Sequence, residues 1–98
     1  MKPVPMICVY KTKRENAEKF AEYLAKHWPA LRQASLASEK RATIERGMSK
    51  DGSVYFIERF EWKEPSSPGI AHQTPEVMAI WEPMGALTQQ MDFIQLES

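Results

Sequence analysis

The spacing of hydrophobic residues predicts four strands along the chain. Residues 6–10 are nearly all apolar or β-prone, which indicates a first strand buried on both faces. Residues 41–48 alternate in side-chain character, and a second strand-like run covers residues 54–62. An Asp-Gly turn separates the two, so they predict an antiparallel hairpin. A final strand-like run covers residues 91–96.

Two other stretches show the three- and four-residue steps of amphipathic helices. The apolar stripe of the first consists of Ala17, Phe20, Ala21, Leu24 and Trp28. A Thr-Pro-Glu helix start precedes the second stripe, which consists of Val77, Ile80, Trp81, Met84 and Leu87. The spacing of Thr12 and Glu15 is that of a capping box, so we expect the first helix to begin there. Residues 63–73 are predicted to be a loop with one short helical turn.

The resulting order of elements, βαββαβ, predicts an α+β fold of the ferredoxin-like type. We expect a four-stranded antiparallel sheet with two helices on one face, in one domain covering residues 1–98. The strand at 54–62 carries large side chains on both faces, whereas two helices can cover only one face of the sheet. A second copy of the same sheet is the economical cover for the other face, so we expect a homodimer.

Composition excludes several classes of function. The 98 residues contain 13 Lys and Arg and 13 Asp and Glu, and a net charge of zero disfavours nucleic-acid binding. One cysteine and two histidines are too few for a disulfide within the chain or a zinc site without many carboxylates, so no metal is expected. Neither a signal peptide nor an apolar run of about 18 residues is visible. We therefore expect a cytoplasmic protein that does not bind membranes.

Two titratable residues are candidates for chemistry. His72 precedes the second helix, where an imidazole could act as a general base, although a surface role is the alternative. Glu58 shares a strand face with Phe56 and Phe60, so its carboxylate would be buried and would need Arg59, His72 or a cation from a partner chain. It is therefore a paired structural ion or a tuned acid, unless the register is reversed and the carboxylate is exposed.

The remaining candidates have simple structural interpretations as well. Flat apolar walls for a ligand could come from Tyr55, Phe56, Phe60, Trp28, Trp62 and Trp81, but residues at this spacing also build ordinary cores. His27 is interpreted as a helix-end histidine that is favoured by the helix dipole. Cys8, between two apolar residues of a strand, is interpreted as a small buried hydrophobe.

The segment Phe-Ile-Glu-Arg-Phe-Glu-Trp at 56–62, followed by Ala-His-Gln-Thr-Pro-Glu-Val at 71–77, resembles the antibiotic biosynthesis monooxygenase-like proteins. These belong to the dimeric α+β barrel superfamily, and the resemblance covers residues 6–96. It implies a homodimer with facing sheets and, in each protomer, a pocket between sheet and helices. Some members oxidise quinols or polycyclic phenols without metal or flavin.

The resemblance implies a cofactor-independent, monooxygenase-like oxidoreductase acting on a small aromatic or quinol-type substrate. In this interpretation His72 is the base and Glu58 is its partner. The substrate-binding residues would be Arg59, Trp62, Trp81, Phe56 and Phe60.

Two other functions remain open, and with them the question of whether the protein is an enzyme. One is a non-catalytic homodimer that binds a small ligand or another partner. The other is haem binding or degradation. The haem-degrading members use an asparagine on the first strand, whereas the only asparagine here is Asn16, in a helical turn, so that set of residues cannot be carried over.

Overall fold

The computed structural model describes residues 2–97, and its strands form one antiparallel sheet. The strands are β1 (Val4–Thr12), β2 (Thr43–Met48), β3 (Val54–Trp62) and β4 (Thr88–Gln95). Their order across the sheet is β2-β3-β1-β4, and each neighbouring pair is antiparallel. The predicted four-stranded antiparallel sheet is confirmed, with the N-terminal strand inside it.

Three α-helices complete the fold: α1 (Ala17–Gln33), α2 (Ser67–Ala71) and α3 (Pro75–Leu87). The two long helices pack side by side, and α2 occupies the segment that the sequence predicted to be a loop with a helical turn. The predicted ferredoxin-like order is therefore confirmed, with α2 as an addition. Within residues 2–97, no helix is both long enough and apolar enough to cross a membrane.

The start of the first helix differs from the prediction. Thr12 is the last residue of β1, where it pairs with Val54, and its hydroxyl donates to the Val54 carbonyl at 3.1 Å. A single 3₁₀ turn follows at Arg14–Asn16, and α1 begins at Ala17 without a side-chain cap. The predicted capping box is wrong because the strand pairing extends far enough to use the threonine hydroxyl.

The core lies between the helices and one face of the sheet. Alternate residues of the two central strands point toward the helices, and the buried ones are Cys8, Tyr10, Thr12, Val54, Phe56, Glu58, Phe60 and Trp62. Phe20 of α1 packs between two of them, with ring centroids 5.1 Å from Tyr10 and 5.0 Å from Phe56. This packing fixes α1 over the centre of the sheet.

The opposite face of the sheet has no described helix over it. Its centre is apolar and half-buried and consists of Ile7, Val9, Tyr55 and Ile57. On the edge strand, Ile94 is 47% exposed. The prediction that β3 carries large side chains on both faces while the helices cover only one is confirmed.

Candidate functional site

A cavity of about 440 Å³ lies between the sheet and the helices α2 and α3. Its aromatic walls come from Tyr10, Phe60, Trp62, Trp81 and Phe93. This volume is within the range of small-molecule sites, which are typically roughly 300–1,000 Å³. Because the strands hold four of these rings and α3 holds Trp81, the cavity is a gap between two layers of the fold.

A group of hydrogen-bonded polar side chains lies at the inner side of this cavity, where Tyr10, His27 and Trp81 line it and Glu58 lies behind them. His27 of α1 and Glu58 of β3 are both almost completely inaccessible to solvent. The Nδ1 atom of His27 lies 2.8 Å from Oε2 and 3.0 Å from Oε1 of Glu58, and the Tyr10 hydroxyl donates to Oε1 at 2.7 Å. The carboxylate of Glu58 therefore accepts hydrogen bonds from two other elements of secondary structure.

Trp81 determines which nitrogen of His27 carries the hydrogen. Its indole Nε1 is 2.8 Å from Nε2 of His27, and an indole N–H can only donate. Nε2 must therefore accept, so the hydrogen of the neutral imidazole is on Nδ1 and points toward Glu58. The four side chains form a directed chain in which Trp81 donates to His27, and both His27 and Tyr10 donate to Glu58.

The surroundings of Glu58 keep two neighbouring acidic groups protonated, the Tyr10 hydroxyl and the Cys8 thiol. Burial, with the neighbouring Glu58 carboxylate as the second cause, raises the pKa of Tyr10 far above its usual range. Tyr10 therefore stays a hydrogen-bond donor at neutral pH. Burial also raises the pKa of the Cys8 thiol to about 12, and the charge of Glu58 adds to this effect. Cys8 is consequently a neutral core residue rather than a nucleophile.

His72 lies at the opposite, outer side of the cavity. It is the residue after α2, it is exposed, and its ring makes an edge contact with Trp81 at a centroid distance of 4.9 Å. His72 also lines the cavity. A base at this position can contact both solvent and a molecule bound between the aromatic walls.

No family model and no curated protein matches the sequence, but solved structures match the fold. SnoaB, a cofactor-independent oxygenase from Streptomyces nogalater solved as a point mutant, has a TM-score of 0.71 at 19% identity over 100% of this chain and 94% of its own. A dimeric protein of unknown function from Bacteroides fragilis has a TM-score of 0.73 at 11% identity, with 98% and 96% covered. A structure described as an antibiotic biosynthesis monooxygenase has a TM-score of 0.67 at 16% identity, with 97% of each chain covered.

The chain has the antibiotic biosynthesis monooxygenase fold. The resemblance that was based on residues 56–62 and 71–77 is thereby confirmed at the level of the fold. At identities of 11 to 19%, these comparisons bear on architecture and leave the reaction to the residues of the site.

This fold brings four of the predicted site residues to the cavity, namely His72, Phe60, Trp62 and Trp81. Arg59 is on the opposite face of the sheet, where its guanidinium pairs with Glu45 at 2.5 Å. The ring of Phe56 packs under α1 against Phe20 and is not among the residues lining the cavity. The structure therefore does not bring Arg59 or Phe56 to the cavity.

The partner of Glu58 also differs from the prediction. The carboxylate is fully buried, as one interpretation of the sequence required, but His27 and Tyr10 satisfy it rather than Arg59 or His72. The pairing of His27 with Glu58 could not be predicted from residues close in sequence, because the two are 31 residues apart and meet only after α1 packs on the sheet.

His27 is the main residue that the sequence interpretation missed. It is buried inside α1 and is not a helix-end residue, so the dipole explanation is wrong. A signal was present in the sequence, because Phe20, Leu24, His27 and Leu31 follow one another in steps of four, three and four. A histidine on the inner stripe of a helix needs a buried partner, and Glu58 was the available carboxylate.

Proposed function

We propose that this protein is a cofactor-independent, monooxygenase-like enzyme that oxidises a small aromatic or quinol-type substrate in the cavity. The observation that carries the proposal is the position of His72, which is at the outer side of an aromatic-walled cavity and in contact with Trp81. The fold shared with the cofactor-independent oxygenase SnoaB supports it. The aromatic walls suit a planar apolar ring system.

The proposed reaction needs a base and an environment that excludes water. His72 removes a proton from an activated carbon of the substrate, and the resulting carbanion adds O2 to form a peroxide at that carbon. The peroxide takes the proton back from His72, and loss of water leaves a carbonyl. One oxygen atom enters the product and the other leaves as water, and all four electrons come from the substrate. The apolar walls keep bulk water away from the carbanion.

We infer that the working unit is a homodimer. The apolar centre of the uncovered sheet face, made of Ile7, Val9, Tyr55 and Ile57, is the surface that a second copy would cover. The neighbour from Bacteroides fragilis is described as dimeric, which supports the same arrangement here. The cavity is on the other side of the sheet, so each protomer would keep a complete site.

A non-catalytic binding protein for small aromatic molecules is the second candidate. The observation that favours it is that the buried polar groups of the cavity wall already bind one another, in the chain from Trp81 through His27 to Glu58. In that case His72, which like Glu82 is an exposed titratable residue at the cavity, is a surface residue without a chemical role. Such a cavity would hold a ligand without changing it.

Oxygen uptake distinguishes the two candidates. The wild type, His72→Ala and the neighbouring exposed control Gln73→Ala are compared with a panel of anthrones and quinols, and uncatalysed oxidation is subtracted. We expect turnover by the wild type and the control, and a decrease in kcat of about 100-fold or more in His72→Ala, which is the contribution of a general base. Full turnover by His72→Ala would exclude that role. Background uptake by the wild type, together with thermal stabilisation by the same aromatics, would establish the binding protein instead.

A further inference from the structure

One uncharged acceptor atom stands out in the wall of the cavity, the Nε2 atom of His27. Glu58 holds the hydrogen of the imidazole on the opposite nitrogen, so Nε2 keeps its lone pair. The carboxylate also strengthens this acceptor, because it polarises the Nδ1–H bond and orients the ring. His27 lines the cavity, and α1 and β3 fix the positions of the histidine and its carboxylate.

The present partner of Nε2, the indole of Trp81, lies on a helix that contains a proline. Trp81 is half-buried on α3, at the wall of the cavity opposite the sheet. Its ring meets Trp62 and His72 through edge contacts at 6.4 and 4.9 Å, not through stacking. Pro83 follows two residues later inside α3 and cannot donate a hydrogen bond to the carbonyl of Ala79. The turn that carries Trp81 therefore lacks one of its backbone hydrogen bonds.

We propose that His27 binds the hydroxyl group of the aromatic ligand through Nε2, and that this hydroxyl replaces the indole N–H of Trp81. The inference rests on the proposed function for the class of ligand, a small aromatic molecule. It adds the requirement for a neutral hydroxyl donor and assigns His27 as the residue that selects it. His27 would position the ring, and His72 at the outer side would remain the base.

The negative charge of Glu58, behind the cavity wall, sets the preference for a neutral donor. The carboxylate of Glu58 is the charged group of the buried chain, and its hydrogen bonds come from Tyr10 and His27. A ligand carboxylate at Nε2 would bring a second negative charge close to it, in surroundings of low polarity where repulsion is strong. An ionised carboxylate also has no hydrogen to donate to Nε2, whereas a phenolic hydroxyl donates one and carries no charge. The site is thus expected to accept phenols and reject aromatic acids.

Equilibrium dialysis with 2-naphthol, naphthalene and 2-naphthoate tests this inference without any turnover. In the wild type the hydroxyl must displace the indole, whereas in Trp81→Phe the acceptor has no competing donor. We expect the affinity ratio of naphthol to naphthalene to be about 3- to 10-fold larger in Trp81→Phe than in the wild type, the value of one hydrogen bond. Trp62→Phe is the matched control, because it removes an indole from the same cavity that does not bind His27. In the control the ratio should not change.

A second measurement locates the contact on His27. The chain has two histidines, so in His72→Ala the ¹⁵N signals of the imidazole belong to His27 alone. The Nε2 signal should shift with naphthol and stay in place with naphthalene. Naphthoate should bind more weakly than naphthol, by about tenfold or more, because Glu58 repels its carboxylate.

The outcomes separate this inference from the proposed function. Equal ratios in the wild type and Trp81→Phe, an equal rise in Trp62→Phe, or an unshifted Nε2 signal would each overturn the role of His27, and none of them would affect the oxidation proposal. The absence of oxygen uptake would overturn the oxidation proposal and leave the binding ratios standing. If none of the three molecules binds, the inference about His27 is wrong.

Discussion

The imidazole of His27 and the carboxylate of Glu58 meet at 2.8 Å in the core, with exposed fractions of 2% and 0%. The contact joins the middle of α1 to the middle of β3. Both groups lose their hydration on folding, so the pair is tolerated because each satisfies the other. Since Tyr10 donates to the same carboxylate, three elements depend on one side chain.

Replacement of this carboxylate by an amide is expected to destabilise the protein strongly. In Glu58→Gln, one amide oxygen must accept from both Tyr10 and His27, while the new NH2 group faces donors. His27 cannot resolve this by moving its hydrogen, because its other nitrogen is occupied by the indole N–H of Trp81. We expect the free energy of unfolding, measured by urea denaturation, to fall by about 3 kcal/mol.

Glu45→Gln is the matched control for that experiment. Glu45 pairs with the guanidinium of Arg59, but its side chain is 64% exposed on the uncovered face of the sheet. Exposed ion pairs contribute about 0–1 kcal/mol, so this variant should unfold nearly as the wild type does. A loss in Glu58→Gln no greater than that in Glu45→Gln would show that the buried carboxylate is not a structural group.

The sequence predicted most of the fold because the strands and helices have regular, local patterns. Residues 54–62 form an unbroken run rich in β-branched and aromatic side chains, and β3 covers that range. The apolar stripe that begins at Val77 likewise predicts α3, which starts two residues earlier at a first-turn proline. The capping box predicted at Thr12 is wrong because Thr12 pairs instead with Val54, which is 42 residues away in the sequence. A local motif gives no information about such a distant partner.

The candidate site was predictable only in part, because its contacts cross the fold. The rings of Phe60, Trp62 and Trp81 were recognised as walls from their chemistry, and they do line the cavity. Arg59 was predicted to bind substrate, but it directly follows Glu58 on β3, and successive residues of a strand point to opposite faces of the sheet. The two-residue period of a strand is visible in the sequence, so Arg59 could have been assigned to the face opposite Glu58 without the structure.

Disruption of the uncovered sheet face is expected to separate the proposed homodimer. Ile57→Asp puts a charge at the apolar centre of that face, next to Val9 on the paired strand. The free energy needed to bury a carboxylate against a second copy would exceed the free energy gained from the dimer contact. Sedimentation should therefore change from dimer to monomer at micromolar concentration. Ile70→Asp on α2, where the side chain is already 50% exposed, should leave the dimer intact.

Circular dichroism of both aspartate variants shows whether they remain folded. The inference of a homodimer is contradicted if the wild type sediments as a monomer, or if a folded Ile57→Asp variant has the same dissociation constant as the wild type.

The hairpin between β2 and β3 depends on a glycine with a left-handed backbone. Gly52 has φ of +88°, a conformation that costs other residues about 1–2 kcal/mol, although nothing within 4 Å would obstruct a Cβ atom. Gly52→Ala should therefore lower the free energy of unfolding by about that amount. Gly47→Ala in β2 also has open space and no positive φ, so its effect should be close to zero. Equal effects of the two substitutions in thermal unfolding would refute the backbone explanation.

Cys8 should be unreactive in the folded protein. Its thiol is fully buried, and burial raises its pKa to about 12, with Glu58 as the second cause. Alkylation requires both access and the thiolate, so iodoacetamide at pH 8.5 should modify the native protein only at the rate of unfolding. Modification should be rapid in urea. Rapid labelling of the native protein at the same pH would contradict this description of Cys8.

The same pKa difference predicts a loss of stability in alkaline solution. The thiol of the unfolded chain ionises near 9, whereas the native thiol keeps its proton up to about 12. Between these values the native state binds more protons, so the free energy of unfolding falls as pH rises, by up to about 1.4 kcal/mol per pH unit from this group. Below pH 9 both states hold the proton and Cys8 contributes no slope. Cys8→Ala should therefore be less stable than the wild type by a constant amount up to pH 8.5, and the gap should narrow between pH 9 and 11. A gap that stays constant over that range would show that the native thiol ionises as readily as the unfolded one.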